Sequence, residues 1–346
     1  MPIRGSIANS LRAYGGETNI GDQTPITPSI DYVVVAGGGP GGYGGGGGGG
    51  GGGIVYGSGY PVGQGTVLTF QVGGGGGNST LNGKDINGTN TPSVFALRGG
   101  GGGDGGAGPG NPGNDGGSGG GGGRDTPAPS TTSYGLSTQT SPGIGSIKGN
   151  RGGRGGNPPQ GAAGGGGGSG GQGQDGGSSP GQPYDSAKNG GDGDSLQNNF
   201  GFPDPTTYLN AFGINGGTPF AGTWENYIVS AGGGNGIQGE NSGQRAGYGG
   251  SSKSWSGYPH TGGDGGRAPG APVEANNATR YTGSGGGGGA HNPGGGVSTA
   301  GGSGGSGTIV VKYPDSYSNA SVTGAIYVKQ GGYRVMHFLG SGSIKF

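Results

Sequence analysis

Side chains able to do chemistry are sparse along this chain, and their spacing limits what they can do. His260, His291 and His337 stand too far apart in sequence to suggest a shared metal, and there is no Cys to supply thiolate ligands or disulfides. No Gly-x-Ser-x-Gly elbow can be placed on a strand-to-helix turn, so a catalytic triad has no home. The expectation is a protein that is not an enzyme and has no cofactor and no metal. Gly-x-Gly-x-x-Gly patterns recur throughout, but a nucleotide loop needs a following helix and usually a Lys, and neither is present. Residues 170–178 match a calcium nonapeptide except at its large apolar position, which is Gly177, and one defective copy does not build a β-roll. Asp192-Gly193-Asp194 reads as a solvated turn. Arg151-Gly-Gly-Arg154-Gly-Gly is similar to an RNA-binding tract, yet a single copy in a neutral chain reads better as arginines projecting from an edge. The Asn-x-Ser/Thr sites at Asn78, Asn87, Asn277 and Asn319 are expected by chance in a chain this rich in those residues.

The aromatic residues are the stronger candidates. Phe200, Phe202, Tyr208, Phe212, Phe220, Trp224 and Tyr227 crowd the stretch 195–231, and Tyr248, Trp255, Tyr258 and His260 mark 247–260. Tyr134 stands in the Ser/Thr/Pro-rich stretch 124–148. Tyr and Trp offer broad amphipathic faces at small entropy cost, which suits sugars and protein surfaces. The Phe residues are expected to form an apolar plug. The receptor-binding candidates are Tyr134, Tyr208, Trp224, Tyr248, Trp255, Tyr258 and His260.

What must position these residues is glycine, which supplies 109 of 346 positions. Apolar residues are too few for an ordinary core, because chain entropy grows with every residue while apolar burial does not. Long helices are excluded, since each interior Gly costs about 1 kcal/mol relative to Ala. Lys and Arg number 17 against 17 Asp and Glu, which argues against nucleic acid or an anionic membrane held by bulk charge. No apolar run approaches the roughly 20 residues of a membrane span. Met1 to Tyr14 lacks the apolar stretch of a secretory signal.

Three arrangements of the glycine compete. Disorder is one, although disordered chains are typically strongly charged and this one is neutral. Collagen is another, but Gly44 to Gly53 is unbroken glycine and the three-residue phase of collagen is absent. The third is a packed lattice of polyglycine II helices. Such a helix has three residues per turn, about 3.1 Å of rise per residue and no internal hydrogen bonds. Without side chains, neighbouring helices can approach closely enough to satisfy each other's peptide groups. Punctuation decides in favour of the lattice. Asp31-Tyr-Val-Val-Val-Ala36 leads into the first run, and Thr308-Ile-Val-Val-Lys-Tyr313 follows the last, both reading as short strands. Thr66 to Val72 alternates, with Leu68, Phe70 and Val72 on one face.

The expected fold is therefore irregular and all-β-like: packed polyglycine II helices, short β-strands, a C-terminal β-module and essentially no α-helix. Residues 1–30 read as an attachment arm, 31–313 as the glycine-rich body with variable loops, and 314–346 as the β-module. Gly44, Gly53, Gly73, Gly101, Gly121, Gly166 and Gly287 represent the scaffold.

The opening Asp31-Tyr-Val-Val-Val-Ala-Gly-Gly-Gly, the long Gly runs and the closing Gly-Ser-Gly-Thr-Ile-Val-Val-Lys-Tyr-Pro314 resemble the glycine-rich domain of bacteriophage tail proteins. The ending Gly-Gly-Tyr333-Arg-Val-Met-His-Phe338-Leu-Gly-Ser-Gly-Ser-Ile-Lys-Phe346 resembles a β-module that often accompanies it. Adhesins of this family sit at tail-fibre tips, where a polyglycine sandwich carries loops that bind the host. The resemblance implies a virion protein. It would attach to a host cell-surface glycan or outer-membrane protein and join other tail-fibre subunits through its N-terminal arm, with no nucleic acid as partner. Two alternatives are a purely structural virion component, such as a fibre shaft or capsid decoration, and an ice-binding polyglycine protein. The latter needs a regular face of repeated Thr or Ala, which the irregular spacing does not supply.

Overall fold

The computed structural model describes residues 25–105, 110–124, 133–140, 144–156, 162–177, 188–205, 208–209, 227–237, 246–250, 261–266, 273–292 and 296–346. Helical residues among these are confined to Tyr208 and Leu209, so the chain is β-rich with essentially no α-helix. One sheet contains β1 (Ser29–Val35), β2 (Ile54–Pro61), β6 (Ser146–Lys148), β11 (Thr308–Pro314), β13 (Ile326–Gln330) and β14 (Tyr333–Phe338). Its order is β13-β14-β11-β1-β2-β6. A second contains β3 (Val67–Gln71), β4 (Ser79–Lys84), β5 (Val94–Ala96), β12 (Ser321–Thr323) and β15 (Gly342–Lys345), in the order β12-β15-β3-β4-β5. Two short pairs complete the strands: β7 (Asp194–Ser195) with β8 (Ile228–Val229), and β9 (His291–Asn292) with β10 (Val297–Ser298).

Among the described residues, the buried apolar side chains gather on the two faces of the first sheet. Its β1 alternates: Ile30, Tyr32 and Val34 face Leu68, Phe70, Leu81 and Ile344 of the second sheet, while Val33 and Val35 face Leu196, Phe202, Tyr208 and Val229 on the other side. A sheet covered on both faces needs apolar residues at consecutive positions, which explains the unbroken Val33-Val34-Val35. The expected strands at both ends of the glycine body are direct neighbours, with Val33 opposite Val310. Leu68 and Phe70 share the core as their alternation requires, and Val72 packs against it. Phe202 is buried in the second cluster and Phe200 packs on it, so the apolar plug covers a sheet face; Phe212 and Phe220 lie outside the described residues.

Two domain boundaries differ from expectation. Ile30 belongs to β1 and the core rather than to an arm, because strand pairing with Tyr60 already includes it; residues 1–24 lie outside the described residues. The C-terminal segment is not a separate module. Its β14 pairs with β11 and its β15 with β3, so it completes both sheets.

At the ends of β1 and β2 the hydrogen-bonding period changes. The strands pair residue by residue up to Val35 opposite Ile54. Beyond that, Ala36, Gly39 and Gly42 donate to the carbonyls of Gly53, Gly50 and Gly47, one residue in three. Gly44 and Gly45 turn the hairpin with φ of 62° and 77°, a conformation that favours glycine. Gly44 is therefore a turn residue rather than part of a run.

The returning run, Gly46–Gly53, is the centre of the lattice. Gly46, Gly49 and Gly52 donate to Gly289, Gly286 and Gly283; Gly47, Gly50 and Gly53 donate to Gly103, Gly100 and Leu97; Gly48 and Gly51 donate to Gly164 and Gly167. All these bonds are 2.7–3.1 Å long. Its carbonyls accept from three further segments: Ala36–Gly42, Ser118 with Gly121, and Ser230 with Gly233 and Gly236. The run thus touches a different neighbour in each of three phases, as donor and again as acceptor. Every residue in it is buried. A Cβ added at Gly53 would meet the Gln139 side-chain amide, and one added anywhere from Gly46 to Gly52 would lie closer than 3.0 Å to the backbone of a neighbouring run, most often to a carbonyl. The same holds at Gly121, Gly166 and Gly287. Gly73 meets the carbonyl of Gly77 beside the second sheet, whereas a Cβ at Gly101 would meet only the Asn114 side-chain amide at 3.2 Å and Pro40.

Carboxamides enter the lattice where glycine does not. Buried Asn235 donates from Nδ2 to Ala163 (2.9 Å) and accepts at Oδ1 from the amides of Lys188 (2.8 Å) and Gly247 (3.1 Å). Gln139 accepts from the Leu97 amide (2.7 Å) and donates to the Phe95 carbonyl (3.0 Å). Each side chain carries one carbonyl and one N–H₂, so it stands in for a missing peptide group.

Gly50→Ala is expected to cost about 3 kcal/mol or more in chemical denaturation, because rigid backbone must move to admit the methyl. Gly101→Ala should change stability by less than about 1 kcal/mol. Equal costs at the two positions would contradict the packing described.

Candidate functional site

The lattice has two ends. One abuts the sheets at Ala36, Gly53, Ser230 and Gly307. The other carries the Gly44–Gly45 turn, and here Arg124 donates to Gly45, Gly236 to Gly46, and Gly266 to Gly288. The chain reaches this far end again and again. Segments 125–132, 238–245 and 267–272, which lie outside the described residues, are all flanked by it. The far end also presents half-exposed Tyr43 and, near it, exposed Val273 and Val297. Buried His291 bonds Ser298 Oγ there at 2.7 Å, and burial, with Arg124 nearby, lowers its pKa.

The receptor-binding candidates fall into three groups. Tyr208 is a correction: it is buried, so it offers no binding surface. It packs beneath the first sheet with its hydroxyl 3.1 Å from His337 Nδ1, an apolar site from which burial pushes its pKa upward. Trp224, Trp255, Tyr258 and His260 lie outside the described residues. Tyr134 and Tyr248 are half-buried on lattice flanks.

Tyr248 lines a recess of about 230 Å³ with Asp264, Val273, Glu274 and Asn276. Asp264 also accepts from the Gly249 amide at 2.8 Å, which ties the recess to the lattice. Tyr134 lies under two guanidinium groups, those of Arg151 at 4.7 Å and Arg154 at 5.6 Å from its ring centre. Asp175 accepts from Arg151 Nη1 at 2.9 Å and from the Arg154 backbone amide at 2.9 Å. Partial burial raises the Asp175 pKa, but these bonds and the two positive charges outweigh it, leaving the carboxyl below its ordinary value. Asp175, the acidic residue of the nonapeptide-like stretch, is thus committed to arginine. Asp194 is paired with Lys148 at 2.7 Å. Among the described residues, no group of three or more His, Asp or Glu side chains is arranged to hold a metal ion.

A wider cleft of about 560 Å³ opens near the sheets between Tyr56, Phe200, Phe202, Asp31 and Asn199. Lys312, buried beside it, donates to the Gly201 carbonyl at 2.6 Å and lies over the Phe202 and Tyr333 rings at 4.9 and 4.6 Å. Sequence reasoning missed this cleft, since its walls come from four distant segments. It also missed the pairing of Arg151 and Arg154 with Tyr134, although their three-residue spacing was visible.

No helix among the described residues is long and apolar enough to cross a membrane. The chain matches no family model, no curated protein and no solved structure.

His337 is fully buried, its Nε2 2.6 Å from Thr308 Oγ1, with Tyr208 and Tyr227 edge-on. Burial alone depresses its pKa to about 3. The unfolded chain takes up a proton near pH 6.5 and the folded chain does not until about pH 3. Stability should therefore fall by roughly 1.4 kcal/mol per pH unit as pH drops through that window. The His337 ring resonances in NMR should stay constant from pH 8 to 4; a midpoint near 6.5 would contradict this.

Proposed function

We propose that the chain is a virion protein that attaches to the host cell surface, acting at the tip of a tail fibre. The observation that carries this reading is the six-neighbour packing of Gly46–Gly53. Bonding in three phases is what polyglycine II helices present, and we take the runs to be such helices packed as a lattice. A block of this kind leaves room in its interior for few side chains, those that bond its peptide groups, so sequence variation is confined to the turns and flanks. Loops positioned by a rigid scaffold are the usual home of recognition. The two sandwiched sheets anchor one end of the block and leave the other for display.

In this reading the binding is non-covalent. The partner is a cell-surface glycan or outer-membrane protein, and the residues that precede β1 connect to other tail-fibre subunits. Tyr134 and Tyr248 on the flanks join Trp224, Trp255, Tyr258 and His260 as contact residues. No nucleic acid, metal or cofactor takes part.

Cells preincubated with the purified chain should adsorb the virions that carry it more slowly, by tenfold or more at saturation. A chain with 125–132, 238–245, 251–260 and 267–272 replaced by Gly/Ser, and Trp224 by Ser, should keep its melting temperature and lose this competition. Undiminished adsorption in the presence of the purified chain, or full competition by the loop-replaced chain, would overturn the reading.

A further inference from the structure

The Arg151-Gly-Gly-Arg154 stretch takes on a definite geometry in the lattice. Three runs lie side by side: Gly152 donates to Gly135 at 3.0 Å, Gly173 donates to Arg151 at 3.1 Å, and Gly176 donates to Arg154 at 2.6 Å. Both arginines stand on the middle run. At three residues per turn they project in the same direction, about 9 Å apart along the rail. Tyr134 comes from one flanking run and Asp175 from the other. Arg151 is held by both, through the ring contact and the Asp175 ion pair. Exposed Arg154 has the ring contact and a through-space attraction to Asp175, but among the described residues its guanidinium shows no hydrogen bond. With two positive charges against one negative, the cluster keeps an excess cation, and a guanidinium lying against a ring leaves its N–H edge free for a bidentate acceptor.

We propose that Arg154, backed by Tyr134 and Arg151, binds an oxyanionic sugar, a carboxylate- or phosphate-bearing unit of a surface polysaccharide. This rests on the attachment reading for its biological setting. Exposed Gln172, one three-residue repeat before Asp175, supplies an amide suited to sugar hydroxyls. RNA is a poorer fit: strand binding relies on several phosphate contacts and open aromatic faces, whereas the chain is neutral and Tyr134 is covered by arginine.

The test is calorimetric titration of the full chain with 3′-sialyllactose and mannose 6-phosphate, using lactose, inorganic phosphate and a decauridylate RNA as controls. One or both acidic sugars should bind more tightly than lactose and inorganic phosphate, and which one binds identifies the anion. Arg154→Gln should weaken that binding at least about tenfold without changing the melting temperature, the loss expected for a charge-assisted contact. The proposal is overturned if lactose or inorganic phosphate binds as well as both acidic sugars, if the RNA binds more tightly, or if Arg154→Gln binds as the unaltered chain does. Acidic-sugar binding by a chain that fails to compete virion adsorption would remove the attachment reading and leave this site. Competition by a chain blind to acidic sugars would do the reverse.

Discussion

The structure depends on how closely two peptide backbones can approach when nothing projects from their α-carbons. Hydrogen bonds of 2.7–3.1 Å between Gly46–Gly53 and its neighbours place each carbonyl where a methyl would otherwise sit. Any other residue type would separate the runs and open three sets of buried donors at once, each costing about 1–3 kcal/mol if left unpaired. Glycine's usual entropic penalty is accepted because lateral bonds in every direction replace an apolar core as the source of cohesion.

Bare backbone carries no code for which run lies beside which, so the sheets must supply it. The antiparallel pairing of β1 with β2 and β11 fixes three strands in register where they join the lattice. The first hairpin then continues from strand to run without a break, its bonds thinning from every second residue to every third. Side chains re-enter at the margins, where Asn235 and Gln139 complete bonds that glycine geometry leaves open. Specificity of assembly thus resides in a minority of residues, and the exposed margins remain available for contact with other molecules.

The same division explains what could be read from sequence. The strands around Val33, Leu68 and Val310 were legible because β-branched and alternating apolar residues carry a local signal. The docking of the C-terminal strands was not, since β14 and β15 are short and pair with partners far away in the chain. Tyr208 looked like a surface aromatic beside Gly- and Pro-rich sequence; its burial depends on His337, 129 residues distant. The neighbours of Gly46–Gly53 could not be named at all, because identical residues give no basis for choosing among runs. Tyr134 was legible as a residue type, while the guanidinium groups over it required knowing that 133–139 and 149–156 are adjacent runs.

Native-state hydrogen exchange of the Gly46–Gly53 amides tests the account most directly. If the central run is bonded in three directions, these amides should exchange only through global unfolding, as slowly as Val34 in the sandwiched sheet. Exchange at the rate of an unstructured glycine peptide, while Val34 remains protected, would mean that the sheets stand without a lattice.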